Sequence, residues 1–126
     1  MQQLLNREVD ICLISTFDPH PQIHWHPLLD EELFLYVPAK HGYAGRTSIA
    51  LKQLSEDGFI GIRKGLGMRE AIDGFCREAG FTPQIKFEGE DIPTIAALVS
   101  SRLGVTIIPA FQGIRYHQRR NCFATM

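Results

Sequence analysis

Three cysteines, Cys12, Cys76 and Cys122, are scattered along 126 residues with no CxxC pair among them. An odd, dispersed set makes neither a disulfide framework nor a zinc knuckle, and it suits a reducing cytosol. An excess of one charge is also missing. Thirteen Lys and Arg stand against fourteen Asp and Glu, a formal net charge of −1, which is not the basic footprint of a nucleic-acid binder. The one basic cluster, "RYHQRRN" at residues 115–121, is the kind of run that solvated tails carry. The opening "MQQLLNREVD" is neither a signal peptide nor a membrane span, so a soluble cytoplasmic chain is expected. Internal repeats and low-complexity segments are lacking as well. The length allows one domain with a core of its own and falls short of two.

What is present reads as an α/β pattern. "QQLLNRE" has the form of a last helical turn, and "VDICLIS" (9–15) is an apolar, β-branched run expected to be a buried strand. "TFDPHPQ" is a loop, and "IHWHPLL" and "EELFLYVPA" are extended runs. "KHGYAGRTS" is rich in glycine and polar residues and is the candidate linker. "SIALKQL" predicts a short helical turn capped by Ser48. From residue 58 the signals sharpen into strand "FIGI", a helix, strand "QIKFEG", a second helix, and strand "VTII". Met68, Ile72, Phe75, Cys76 and Ala79 form the apolar stripe of the first helix, with Arg69–Asp73 and Asp73–Arg77 as charge pairs on its other face. Asp91 caps the second helix, whose stripe is Ile95, Leu98, Val99 and Leu103, and Gly104 stops it. Strand–helix–strand–helix–strand with short connections predicts parallel strands with right-handed crossovers and helices on both faces.

In such a sheet ligands lie beyond the carboxyl ends of the strands. Those ends here are "RKGLG", "GED" and "PAF", the first two leading into helix starts. Unpaired N–H groups and the positive end of the helix dipole attract anions there. Gly65 and Gly67 let backbone approach a ligand closely. A dinucleotide fingerprint would need glycine where Glu70 stands, and the Gly-Lys-Ser/Thr of a phosphate-binding P-loop is missing. His20, His24 and His26 lack a carboxylate or thiol at ligand spacing, so no metal is expected. Glu88 and Glu90 are expected in solvent, Ser100 and Ser101 have no nucleophile elbow, and Cys76 is a core residue. No nucleophile–base set emerges; no catalytic residue and no cofactor are expected, and the chain is not expected to be an enzyme. Thr16, just after the first apolar run, could offer a hydroxyl to a ligand or close a turn.

"REVDICLIS", "IHWHPLLDEELFLYVPAKH" and "GFIGIRKGLGMREAIDGFCREAGFTPQIKFEGEDIPTIAALVSSRLGVTIIPA", in that order and spacing, resemble the effector-binding domain of LysR-type bacterial transcriptional regulators over about Leu4 to Ala110. The resemblance implies an incomplete two-lobe domain with the fold of type 2 periplasmic binding proteins and a parallel-rich sheet. Residues 1–41 would be a remnant of lobe 1 and 42–126 most of lobe 2, with 111–126 departing from the family pattern. It also implies a small-molecule effector, here an anionic one. The effector would be met by Ser15 and Thr16, by Lys64, Gly65, Leu66, Gly67, Met68 and Arg69, by Ile92, Pro93 and Thr94, and by Pro109 and Ala110. The full-length regulator would be a homo-oligomer that reaches DNA through an N-terminal domain not in this sequence. A solute-binding protein or enzyme of the same fold, or an inactive truncated fragment, are the alternatives.

Overall fold

The computed structural model describes residues 1–14, 19–29 and 32–109, together with the backbone of 122–125. The chain divides into two compact units, Met1–Asp30 and Glu31–Met126. The division anticipated between residues 41 and 42 therefore falls inside the second unit.

The first unit opens with a single helical turn, α1 (Gln2–Leu5), closed by Asn6, whose side chain accepts from Gln2 Nε2 at 3.1 Å. The apolar run after it does not form the expected buried strand. Val9–Ile14 has no ladder partner among the described residues, and Ile11 and Leu13 are 82% and 77% exposed. Sequence periodicity reports what a segment could bury; a strand also needs neighbours for its N–H and C=O groups. "IHWHPLL" likewise forms no strand among the described residues, and Leu28 and Leu29 are exposed. No helix among the described residues is long and apolar enough to cross a membrane.

The second unit is a sheet clothed on both faces. Its elements are β1 (Leu33–Val37), a 3₁₀ turn (Leu51–Leu54), β2 (Gly58–Ile62), α2 (Gly67–Glu78), β3 (Gln84–Gly89), α3 (Ile92–Ser100), β4 (Thr106–Pro109) and β5 (Cys122–Thr125). β2 pairs in parallel with β3 from Gly58↔Gln84 to Ile62↔Gly89, with an irregularity between Phe59 and Ile60. On its other side a parallel bridge joins Phe59 to Val105, with Ile60 N donating to Val105 O and Val105 N to Gly58 O. Thr106 Oγ1 donates to Ile60 O at 2.7 Å. β1 lies antiparallel to β4, and β5 antiparallel to β1. The strands form two ladders, β4-β1-β5 and β2-β3, and the Phe59–Val105 bridge sets them side by side in the order β3-β2-β4-β1-β5. The three strands read as parallel are so, while "EELFLYVPA" and the tail add antiparallel strands at the far side.

Alternate side chains of a strand point to opposite faces, and the core divides accordingly. Phe59, Leu35, Val37, Val105 and Ile107 pack with Ile49 and Leu54 from around the 3₁₀ turn, and with Ile72 of α2. Ile60 and Ile62 face the other way, onto Ile95 and Val99 of α3. The candidate linker is folded down: His41 Nε2 lies 2.8 Å from Asp57 Oδ1, and Tyr43 Oη donates to Gln53 O. Ser48 does not cap the 3₁₀ turn; the Gln53 side chain accepts from Ala50 N instead. Gly104 does not end α3 either. Arg102 takes the left-handed position (φ 64°), with Arg102 N bonded to Val99 O and Leu103 N to Leu98 O. Gly104 serves a different need, because a Cβ there would meet Gly58 O at 2.5 Å where β4 is laid against β2.

Candidate functional site

Parallel pairing puts the carboxyl ends of β2, β3 and β4 at one edge of the sheet. The ladder runs right to that edge, where Arg63 N donates to Gly89 O at 3.0 Å. Lys64–Arg69, Ile92–Thr94 and Pro109 all follow or terminate these strands, so the sequence-derived positions of the second unit converge on one rim. Ser15, Thr16 and Ala110 lie outside the described residues.

The first helix start on this rim is open. Gly65 holds φ +88°, a left-handed turn that leads Lys64, exposed, into Leu66. Leu66 is the N-cap of α2 in extended conformation, and no side chain caps the helix. The side chains of Leu66 and Met68 are drawn into the cluster of Ile60, Ile62, Ile95 and Val99. What this stretch offers outward is therefore main chain. The N–H groups of Gly67 and Met68 have no acceptor among the described residues, and they lie at the positive end of a twelve-residue helix. Glu70 is the only acid in the first turn.

The second start is closed. Asp91 is the N-cap of α3, as its sequence position suggested, and its Oδ1 accepts from Thr94 N at 2.8 Å while its carbonyl accepts from Ile95 N. The helix thus carries its own anion. Pro93 and Thr94 are exposed and Ile92 is half-buried. Pro109 is buried as the last residue of β4, opposite Leu33.

Arg69 behaves unlike a rim residue. It is 6% exposed. Its Nε donates to Asp73 Oδ2 at 2.8 Å, and its Nη1 donates to Glu88 Oε1 at 2.7 Å and to Ile62 O at 2.9 Å. Burial opposes its charge, but the hydrogen bonds and negative charges of Glu88 and Asp73 outweigh that and raise its pKa. Of the two charge pairs anticipated along α2, Arg69–Asp73 forms, and Asp73–Arg77 is not among the ion pairs of the described residues. Glu88 is exposed as expected, its side chain 42% accessible, and it also belongs to this network. Helical spacing alone could not reveal it. The signal was Gly61 inside an apolar strand: a Cβ there would come within 3.2 Å of Arg69 Nη1, so the glycine leaves room for the guanidinium.

A groove of about 590 Å3 lies on the flank of α2 and β3, lined by Arg69, Asp73, Arg77, Ile85, Lys86 and Glu88 among others, and it meets the rim at Lys64. No group of His, Cys, Asp and Glu among the described residues could hold a metal ion.

The family described as "LysR substrate binding domain" matches residues 1–121. The chain is 36% identical over 114 residues to the uncharacterized HTH-type transcriptional regulator YybE of Bacillus subtilis, covering 90% of this chain and 39% of that protein. It superposes on the C-terminal domain of a probable LysR family transcriptional regulator from Rhodococcus sp. RHA1 with a TM-score of 0.76 and 25% identity, over 98% of this chain and 61% of that one. A TM-score of 0.76, with 21% identity, relates it to the Synechocystis PCC6803 CcmR regulatory domain in complex with 2-PG, over 97% of this chain and 59% of that one. The chain therefore spans 39% of the YybE regulator and about three fifths of the two domains, less than two thirds in each case.

Proposed function

The chain belongs to the LysR substrate-binding domain family, and from that premise we propose that it is the effector-sensing portion of a bacterial LysR-type regulator, taking up a small anionic molecule. The observation that carries the reading is the rim: three parallel strand ends at one edge, one of them opening into an uncapped helix start. The guest's negative group lies against the N–H groups of Gly67 and Met68 with Lys64 beside it, and its remainder reaches toward Thr94, Pro93 and Pro109. Ser15, Thr16 and Ala110 complete the proposed set. The CcmR neighbour, which holds 2-PG, supports a small-molecule guest. Residues 42–126 are then the second lobe and 1–41 the remnant of the first.

In the complete regulator, acting in the cytoplasm as a homo-oligomer, a guest that prefers one arrangement of the lobes shifts the population toward it and changes how DNA is held. The role is binding, not catalysis. Calorimetric titration of the chain with a panel of small carboxylates and phosphates tests the site. A true guest is weakened about fivefold by Lys64→Ala and weakened again by added salt. Binders whose affinity ignores both changes would remove the anion from the proposal.

A further inference from the structure

The stretch from Ile62 to Arg69 is a closed loop. Its first residue ends β2, its last lies in the first turn of α2, and the two are fastened directly by Arg69 Nη1 to Ile62 O at 2.9 Å. The same nitrogen reaches Glu88 on β3, while Nε reaches Asp73 one turn along α2. One guanidinium thus ties two strands and a helix together directly behind Lys64, Gly65 and the free N–H groups of Gly67 and Met68. Arginine suits the task because its rigid fork can satisfy several acceptors at once. Glycine at position 61 eases its fit, since a Cβ there would press on Arg69 Nη1 and on Ile85 at 3.2 Å.

Donors recognise an anion well when they are held in place before it arrives, since the ordering cost has then been met in folding. Resting on the anion-binding reading above, we infer that Arg69 is a positioning residue: it does not touch the guest, but sets from behind the geometry of the Lys64–Met68 loop that does. Glu88 and Asp73 are its partners in this. The inference predicts an effect opposite in sign to plain electrostatics. Removing the negative charge of Glu88 should favour a nearby anion by Coulomb attraction, whereas loosening the clamp should disfavour it.

The test uses the full chain and inorganic sulfate as probe, followed through the amide NMR signals of Gly67 and Met68. In the unaltered chain both signals shift with sulfate and saturate. Glu88→Ala weakens sulfate about threefold or more, although it removes a negative charge. Glu88→Gln, which keeps an acceptor for Arg69 and loses the charge, restores binding. Glu90→Ala, at an exposed acid outside the clamp, leaves binding equal or tighter. Arg69→Lys, with net charge unchanged, reproduces the weakening and covers the case in which Glu88→Ala does not fold. Sulfate binding in Glu88→Ala and Arg69→Lys as tight as in the unaltered chain, or tighter, overturns the positioning role while leaving the site standing. Absence of any shift at Gly67 and Met68 in the unaltered chain overturns the site, and the inference with it.

Discussion

Two helices start side by side on the same rim of the same sheet, and they solve the problem of their unpaired N–H groups in opposite ways. α3 begins with Asp91, whose carboxylate takes Thr94 N for itself. α2 begins with Leu66, which has nothing to offer, and leaves its first donors facing outward. The difference continues inside the helices. The buried residues of α3 are Ile95, Ala96 and Val99, none of which can titrate, whereas those of α2 are Arg69 and Cys76. A helix that caps itself needs only apolar packing to stay in place. A helix left open in front is held from behind by charge. On the proposed reading, one start is spent on stability and the other is left for a guest.

The largest expected effect breaks the second half of this contrast. Arg69→Met removes the clamp and leaves Glu88, Asp73 and the Ile62 carbonyl without their donor. Losing a buried donor that serves three acceptors, of which Asp73 and Glu88 are 33% and 42% exposed and the Ile62 carbonyl is buried, costs about 3 kcal/mol, which urea unfolding would show as a lowered midpoint. Lys64→Ala, on the exposed side of the same loop, should change stability by less than about 0.5 kcal/mol. Equal effects from the two would mean that α2 is not held by its buried arginine.

A second test uses the other buried ionisable group of α2. Burial, and then the negative charge of Asp73, push the Cys76 thiol up to about 11 from an ordinary value of 9.0. The folded chain therefore keeps its proton more tightly than the unfolded chain does. Its contribution is fully present below about pH 9 and is lost as the pH rises toward about 11, by about 2–3 kcal/mol. Comparing urea stabilities of the unaltered chain and Cys76→Ala across this range isolates the effect, because Tyr36, whose pKa burial also raises, titrates in both. The variant should lose less stability on going alkaline. Parallel curves would show that the thiol is not shielded. At neutral pH the same thiol should resist thiol reagents until the chain unfolds.

The third effect is smaller and falls on α3. Asp91→Ala uncovers Thr94 N and should cost about 1 kcal/mol, seen as a lowered unfolding midpoint. It should also make the second start resemble the first, so that sulfate newly shifts the Thr94 amide. A stability loss without that shift would show that an open helix start on this rim is not enough to hold an anion, and that α2 owes its capacity to the held loop.

Most of the second unit could be read in advance because its signals are local. Helical spacing, an aspartate before Ile92 and an apolar run after Gly104 each announce an element without reference to the rest of the chain. The rim followed from topology: once the strands are parallel, their ends must converge. Two things could not be read this way. Val9–Ile14 has the composition of a buried strand, but composition says nothing about whether neighbours are there to pair with it, and most of these residues are exposed. Arg69 looked like one member of a surface charge pair, because spacing within a helix does not report what lies across from it. Its acceptors come from Ile62 and Glu88, elements set together only by the fold.

The smallest expected effect concerns two acids, Glu88 and Glu90, separated by one residue. Glu88 Oε1 meets a buried guanidinium at 2.7 Å, while Glu90 stands 79% exposed with Arg63 at 3.7 Å, itself 58% exposed. An exposed pair at that distance is screened by water and salt and contributes a few tenths of a kcal/mol at most. Glu90→Ala should thus leave the urea midpoint nearly unmoved at any salt concentration, and Glu88→Ala should lower it by about 1 kcal/mol. The ranking tests the front-and-back division of α2 most finely, because it asks whether the same charge on the same segment matters only when it faces the clamp. Equal losses from the two variants would place the hold on α2 in the general field of the rim and not in Arg69.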